Sequence, residues 1–132
     1  EMALLLPEGH RLARKRALAA ADLDGEDLLV TEQGCAYRGL VERALGERGV
    51  RPRWALESGS VASLREAVRQ RLGLAVIPRL AATPAPEGTV LRRIADLVIA
   101  LPVGLVTRSG SAPGPPALVA LVEEFRRAFR KS

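Results

Sequence analysis

Apolar and polar positions follow two different periods along this chain, and in "SLREAVRQRLGLAVIP", residues 63–78, the two meet without a loop between them. Leu64, Ala67 and Val68, with Val61 just upstream, recur at intervals of three and four, which puts them on one face of a helix. From Leu72 to Ile77 the chain is a short apolar run closed by Pro78, which suits a strand buried on both faces. A helix from Val61 to about Arg71 therefore drives straight into a buried strand, with only Gly73 to soften the change. Ser60 is placed to cap that helix, because its hydroxyl can accept a free N–H of the first turn.

The same reading extends over the whole chain. Ala3–Leu6 is a strand, and Pro7-Glu8-Gly9 turns it. Residues 12–23 are Ala-rich and partly helical, and 27–31 are a second strand. Tyr37, Leu40, Val41, Ala44 and Leu45 form an apolar helical face that ends near Gly49, ahead of Pro52. Residues 53–58 are a third strand with Trp54 and Leu56 on one side. Residues 89–107 hold one or two more strands, interrupted by Pro102 and Gly104. "SGSAPGPP", 109–116, is a loop whose last two prolines suit a helix start. Leu118, Leu121, Val122, Phe125 and Phe129 give that last helix an apolar stripe, with Glu123 and Arg127 as a favourable i,i+4 pair.

Strands alternating with helices over short connections predict crossover units and a parallel sheet covered by helices on both faces. Such a sheet accounts for 63–78: the helix packs on one face, and the chain re-enters the centre where Gly73 allows close approach. Open sheets of this kind bind ligands beyond the carboxyl ends of their strands. Two helix N-termini, at 34–38 and 59–62, follow strands at that edge, and their free N–H groups favour anions. Thr31 ends a strand there and Ser60 opens a helix; for Ser60, capping and ligand contact can coexist.

Composition narrows the chemistry. At 132 residues with 48% apolar content the chain is one ordinary domain rather than a disordered tail. No apolar stretch reaches the roughly 18 residues of a membrane span, and no signal peptide pattern opens the chain. The single cysteine, Cys35, excludes an internal disulfide framework and fits a reducing, cytoplasmic setting. With His10 the only histidine, no metal site can be assembled from ligands of the usual spacing. A Cys–His nucleophile pair is formally open, but a lone cysteine is more often a small packed residue. The chain reads as a non-enzyme with no cofactor.

Twenty Lys and Arg against 15 Asp and Glu give a net charge of +5, which raises the question of nucleic acid. The cations are scattered, however, and only "RLARKR" (11–16) and "RRAFRK" (126–131) are dense. The second suits the C-terminal end of a helix. One Trp, one Tyr and two Phe offer no platform for stacking bases. Glu1 stands ahead of Met2, and the apolar strand at Ala3–Leu6 has no cover before it. This start reads as a piece of a longer protein that self-associates through an uncovered sheet edge.

Four stretches carry a resemblance. "LLLPEGHRLA" resembles the strand and His-Pro-Leu-Ala stretch of the effector-binding domain of LysR-type transcriptional regulators. "ADLDGEDLLVTEQG" is similar to the segment that follows in that family, "LVERALGERGVRPRWALESGSVASLREAVRQRLGLAVIP" to its long run ending in Gly-Leu-Gly, an apolar stretch and Pro, and "GLVTRSGSAPGPPALVALVEEFRRAF" to its closing strand and helix. They stand in the family's order and cover almost the whole chain. Arg11 replaces the family's usual Pro. Arg71 replaces the first Gly of Gly-Leu-Gly, which would cost about 1 kcal/mol if that position is left-handed.

The resemblance implies an α/β, periplasmic-binding-protein-like (type 2) effector domain with a mostly parallel sheet, one subdomain complete and the other partial. It assigns residues 1–26 to a remnant of subdomain one, 27–104 to subdomain two, and 105–132 to a strand and helix returning to subdomain one. Thr31, Gln33, Gly34 and Ser60 then fall on the cleft side, where a small effector, expected to be a carboxylate, would bind. It further implies a homodimer or higher oligomer, and DNA contact only through a helix-turn-helix domain outside this chain. A solute-binding protein of a transport system, or a basic module binding nucleic acid directly, are the alternatives.

Overall fold

The computed structural model describes residues 1–99, 106 and 114–129. Residues 1–101 and 102–132 form two compact units. The first holds a five-stranded sheet in the order β3-β2-β4-β1-β5, with β1 Met2–Pro7, β2 Asp27–Val30, β3 Arg53–Glu57, β4 Leu74–Pro78 and β5 Thr89–Arg92. Helices α1 (Ala36–Gly46) and α2 (Val61–Arg69) connect β2 to β3 and β3 to β4, and a short α3 (Arg79–Ala82) follows β4. The Ala-rich segment expected to be partly helical forms two 3-10 turns, Arg11–Arg14 and Ala20–Leu23. In the second unit α4 runs from Pro116 to Phe129.

β2 pairs in parallel with β3 and β4, as the crossover pattern predicts. β1 is the exception: it pairs antiparallel with β4 (Leu4 opposite Val76) and with β5 (Leu4 opposite Arg92). The sheet is therefore mixed, and four of its five strands share one direction. The N-terminal strand is not a bare edge. Leu4, Leu5 and Leu6 are fully buried between two neighbours, so the expectation that this strand drives self-association is corrected. Nor do residues 1–26 stand apart from 27 onward, since β1 lies in the same sheet as β2.

Helices cover both faces. Leu4, Leu28, Leu74 and Val76 pack with Val41 and Leu45 of α1 and with Leu12, Leu18 and Leu23 around the 3-10 turns. On the other face Leu5, Leu29, Ala75 and Ile77 pack with Leu64, Ala67 and Val68 of α2. Each fully buried Leu contributes about 1.5–3 kcal/mol of transfer free energy. β3 departs from the expected alternation: its register to β2 shifts between Leu28 and Leu29, so that Leu28 faces Trp54 and Leu29 faces Leu56. Leu56 packs against the α2 side, whereas Trp54 stays exposed at the sheet edge.

Both crossover helices end in the same way. After α2, the Leu72 N–H reaches the Ala67 carbonyl and the Arg71 N–H reaches that of Val68; after α1, Val50 reaches Leu45 and Gly49 reaches Gly46. This pattern needs a left-handed residue at the stop. Gly49 supplies it at φ 70°, and Arg71 is forced into it at φ 62°. The cost anticipated for Arg71 is therefore real. Gly73 makes its close approach to β2 rather than to the helix: a methyl group there would stand 2.7 Å from the Asp27 carbonyl oxygen and 2.7 Å from Leu29 Cδ2.

In α4, Arg127 pairs with Glu124 at 2.5 Å instead of with Glu123. Leu118 and Leu121 of its apolar stripe are exposed within their unit, and so is the neighbouring Val119. The expected loop over 109–113, the Phe129 side chain and any strand at 100–105 lie outside the described residues.

Gly73→Ala should lose about 1–3 kcal/mol in urea unfolding, because the clash is with backbone and with a packed leucine. Gly59→Ala, whose methyl would meet only the Glu32 carboxylate at 3.6 Å, should lose far less. Equal losses would mean that the contact with β2 is not what reserves position 73 for glycine.

Candidate functional site

The carboxyl ends of β2 and β3 lie side by side, and the turns leaving them touch. The Ser58 N–H donates to the Val30 carbonyl at 3.0 Å, and the Gln33 N–H approaches Glu57 Oε1 at 3.4 Å. Thr31, Gln33, Gly34 and Ser60 are thus brought to one edge of the sheet on two adjacent turns. Gly34 carries φ 87°, the left-handed conformation that lets the chain reverse from β2 into α1. Gln33 and Ser60 are exposed, and Thr31 is only 7% exposed.

The two helix starts differ. Ser60 caps α2 as expected, its Oγ accepting the Ser63 N–H at 3.4 Å. α1 starts after Cys35, whose side chain makes no capping hydrogen bond, so its first-turn N–H groups stay open to another acceptor. Close by, Thr31 Oγ1 is buried without a hydrogen-bond partner. A buried hydroxyl left unpaired costs about 1–3 kcal/mol, so its position calls for a partner. The enclosed void beside it, about 10 Å³, is no larger than one water molecule needs.

Arg38 was not anticipated, and it ties this edge together. Its side chain is 11% exposed; Nη1 donates to the Thr31 carbonyl at 3.2 Å and to Glu57 Oε2 at 2.5 Å, and Nε donates to Glu42 at 2.7 Å. One cation thus joins the end of β2, the end of β3 and the first turns of α1. The spacing of Arg38 and Glu42 is visible in the sequence, but the partner in β3 is 19 residues away. The arginine holds the Glu57 carboxyl below its usual 4.5, with help from the Gln33 N–H. In return, Glu42 and then Glu57 push the Arg38 guanidinium up. Glu32, beside Gly59, adds a further carboxylate to the rim.

Among the described residues no group of three or more His, Cys, Asp or Glu could hold a metal ion, and no helix is long and apolar enough to cross a membrane. The arrangement offers hydrogen-bond donors, one orphan hydroxyl and an ion-pair network in which one arginine offsets part of the charge of two carboxylates. It suits binding.

Comparison with known proteins decides the family. The LysR substrate binding domain model matches residues 1–130. The chain belongs to that family. The Escherichia coli (strain K12) transcriptional activator protein LysR is 35% identical over 95 residues, which cover 71% of this chain and 30% of that protein. The Agrobacterium tumefaciens (strain T37) regulatory protein NocR is 31% identical over 125 residues, covering 95% of this chain and 40% of that one. The chain thus spans well under half the length of these regulators. The regulatory domain of Synechocystis PCC6803 CcmR, solved in complex with 2-PG, shares the fold at a TM-score of 0.67 and 22% identity, over 72% of this chain and 47% of its own. The resemblance read from the four sequence stretches is borne out, and with it the periplasmic-binding-protein-like class of this LysR effector domain. Both relatives are named as regulators rather than as enzymes.

A carboxyl group whose pKa is depressed in the folded state adds stability above its unfolded value and loses it as pH falls through the folded one. Glu57 is such a group, so its contribution should be full above about 4.5 and be lost as pH falls through its lower folded value. Carbon-detected NMR titration should give a Glu57 midpoint below 4.5 in the wild type and close to it in Arg38→Met. The variant should also lose less stability on acidification through that range. An unchanged midpoint would mean that Arg38 does not control this carboxylate.

Proposed function

We propose that this LysR domain is the effector-sensing part of a bacterial transcriptional regulator. A small anionic molecule held at the carboxyl edge of the sheet would modulate DNA binding by a helix-turn-helix domain elsewhere in the same cytoplasmic protein. The observation that carries the reading is Thr31 Oγ1, buried and unpartnered beside the uncapped first turn of α1. A ligand oxygen could accept from the Thr31 hydroxyl and from the neighbouring N–H groups together. Ser60 and Gln33 are the flanking side-chain contacts, with the N–H groups beside Gly34.

The sign of the effector follows from two helix starts converging on that edge, whose dipoles favour negative charge. Arg38 offsets part of the charge of Glu42 and Glu57, so the helix starts would hold the anion against a partly compensated acidic rim. A carboxylate fits best. The complex of CcmR with 2-PG supports a small-molecule ligand in a related fold. The facing half of the site belongs to a second subdomain. In the division we favour, residues 1–26 join 27–99 in one subdomain, because β1 and β2 share one sheet.

Self-association belongs to the same proposal, now resting on the exposed Leu118, Val119 and Leu121 of α4 rather than on β1. Sedimentation at micromolar concentration should show a dimer or larger species. A monomer across that range would remove the oligomer from the proposal.

For the site, a thermal-shift screen of small carboxylates on the intact regulator identifies the ligand, and calorimetry then compares wild type with Thr31→Val. Valine keeps the β-branched shape and removes the hydroxyl, so affinity should fall about ten- to a hundredfold. Unchanged affinity would take Thr31 out of the site, and a cationic effector would overturn the electrostatic reading.

A further inference from the structure

The dense stretch "RLARKR", residues 11–16, takes no part in the effector edge. Its end folds against the end of β5, where a surface cavity of about 300 Å³ is lined by Arg16, Ala17, Leu18, Arg92, Arg93 and Ala95. Three of these six residues carry a guanidinium and none carries a carboxylate. Arg92 is fixed in place: its two terminal nitrogens donate to the carbonyls of Ala13 and Lys15. Those carbonyls orient the group without a formal charge to offset it, and three of its five N–H donors remain. The Ala95 N–H closes the floor by donating to the Leu18 carbonyl at 2.7 Å.

Of the acids nearby, one pairs with a cavity arginine and the others have partners outside the cavity lining. Asp22 pairs with Lys15, and Asp96 accepts the Ala20 N–H at 2.8 Å. Glu1 forms an exposed ion pair with Arg93 at 3.9 Å. In the same basic stretch Arg11 is paired with Glu26. On the cavity walls Arg16 and Arg92 are therefore without a carboxylate partner, while Arg93 shares its charge with Glu1.

We propose that this cavity binds a small phosphorylated molecule, with Arg92 as the fixed contact and Arg16 and Arg93 closing on its phosphate oxygens. Guanidinium groups match phosphate oxygens in pairs, and their charge strengthens each hydrogen bond. Its volume falls at the lower end of small-molecule sites, whereas a duplex needs cations spaced along its backbone. β4 and β1 lie between this cavity and the β2 edge that carries Thr31, so the ligand would occupy a second site.

The test is calorimetric titration of the chain with pyrophosphate at low salt. Saturable one-to-one binding in the millimolar range or tighter is expected. The double variant Arg16→Gln/Arg93→Gln leaves the Arg92 carbonyl bonds intact, and it should weaken binding at least about tenfold. Arg126→Gln in α4, a charge control, should leave it unchanged. Arg92→Gln should abolish binding; if circular dichroism shows that it does not fold, the double variant decides. Absence of saturable binding, an equal loss in Arg126→Gln, or duplex DNA held through these arginines and not displaced by pyrophosphate would each overturn the proposal.

Discussion

Where β4 leaves the turn after α2, it passes so close to β2 that position 73 has no room for a side chain. That approach seats β4 between β2 and β1, where Leu74–Ile77 are buried on both faces. A doubly buried strand must be reached from a helix already packed on the sheet, and the chain must stop that helix within two or three residues. Hence the left-handed stop, and hence Arg71 at a conformation that ordinarily belongs to glycine. The strain at Arg71 is local, while the burial it permits involves the whole centre of the sheet.

The direction of the strands then decides where polar groups collect. β2 and β3 run in parallel, so their carboxyl ends and the N-termini of α1 and α2 fall on one edge. N–H groups, a threonine hydroxyl and three carboxylates meet there, and Arg38 bridges two of those carboxylates to the end of β2. Removing that arginine would leave Glu42 and Glu57 facing each other across a partly buried edge. Its guanidinium thus holds the two turns in register more than it offers a free charge to a ligand.

β1 runs against its neighbours, and this has its own consequence. Its antiparallel pairing with β5 carries the chain end at Arg92 over the 3-10 turns, where two backbone carbonyls take the guanidinium. Two groups of polar atoms therefore form on one sheet, separated by its two central strands. One is rich in backbone donors and carries more carboxylates than cations, and the other is cationic.

Much of this was legible in the residues because it is local. Helical periodicity placed α1, α2 and α4, the hydroxyl of Ser60 marked its own cap, and the apolar run after Gly73 marked a buried strand. Thr31, Gln33, Gly34 and Ser60 share an edge because each sits next to a strand end, which is a property of sequence order. Pairing is different. That β1 runs antiparallel inside the sheet, between β4 and β5, depends on contacts with residues seventy or more positions away, and no short pattern encodes them. The same holds for Arg38 with Glu57 and for Arg92 with Ala13 and Lys15: an isolated arginine looks the same in sequence whether it is solvated or tied down. Sequence alone determined most of the elements, the Ser60 cap and the family; the tertiary structure decided strand direction and charge pairing, because these are set by which distant groups share one buried space.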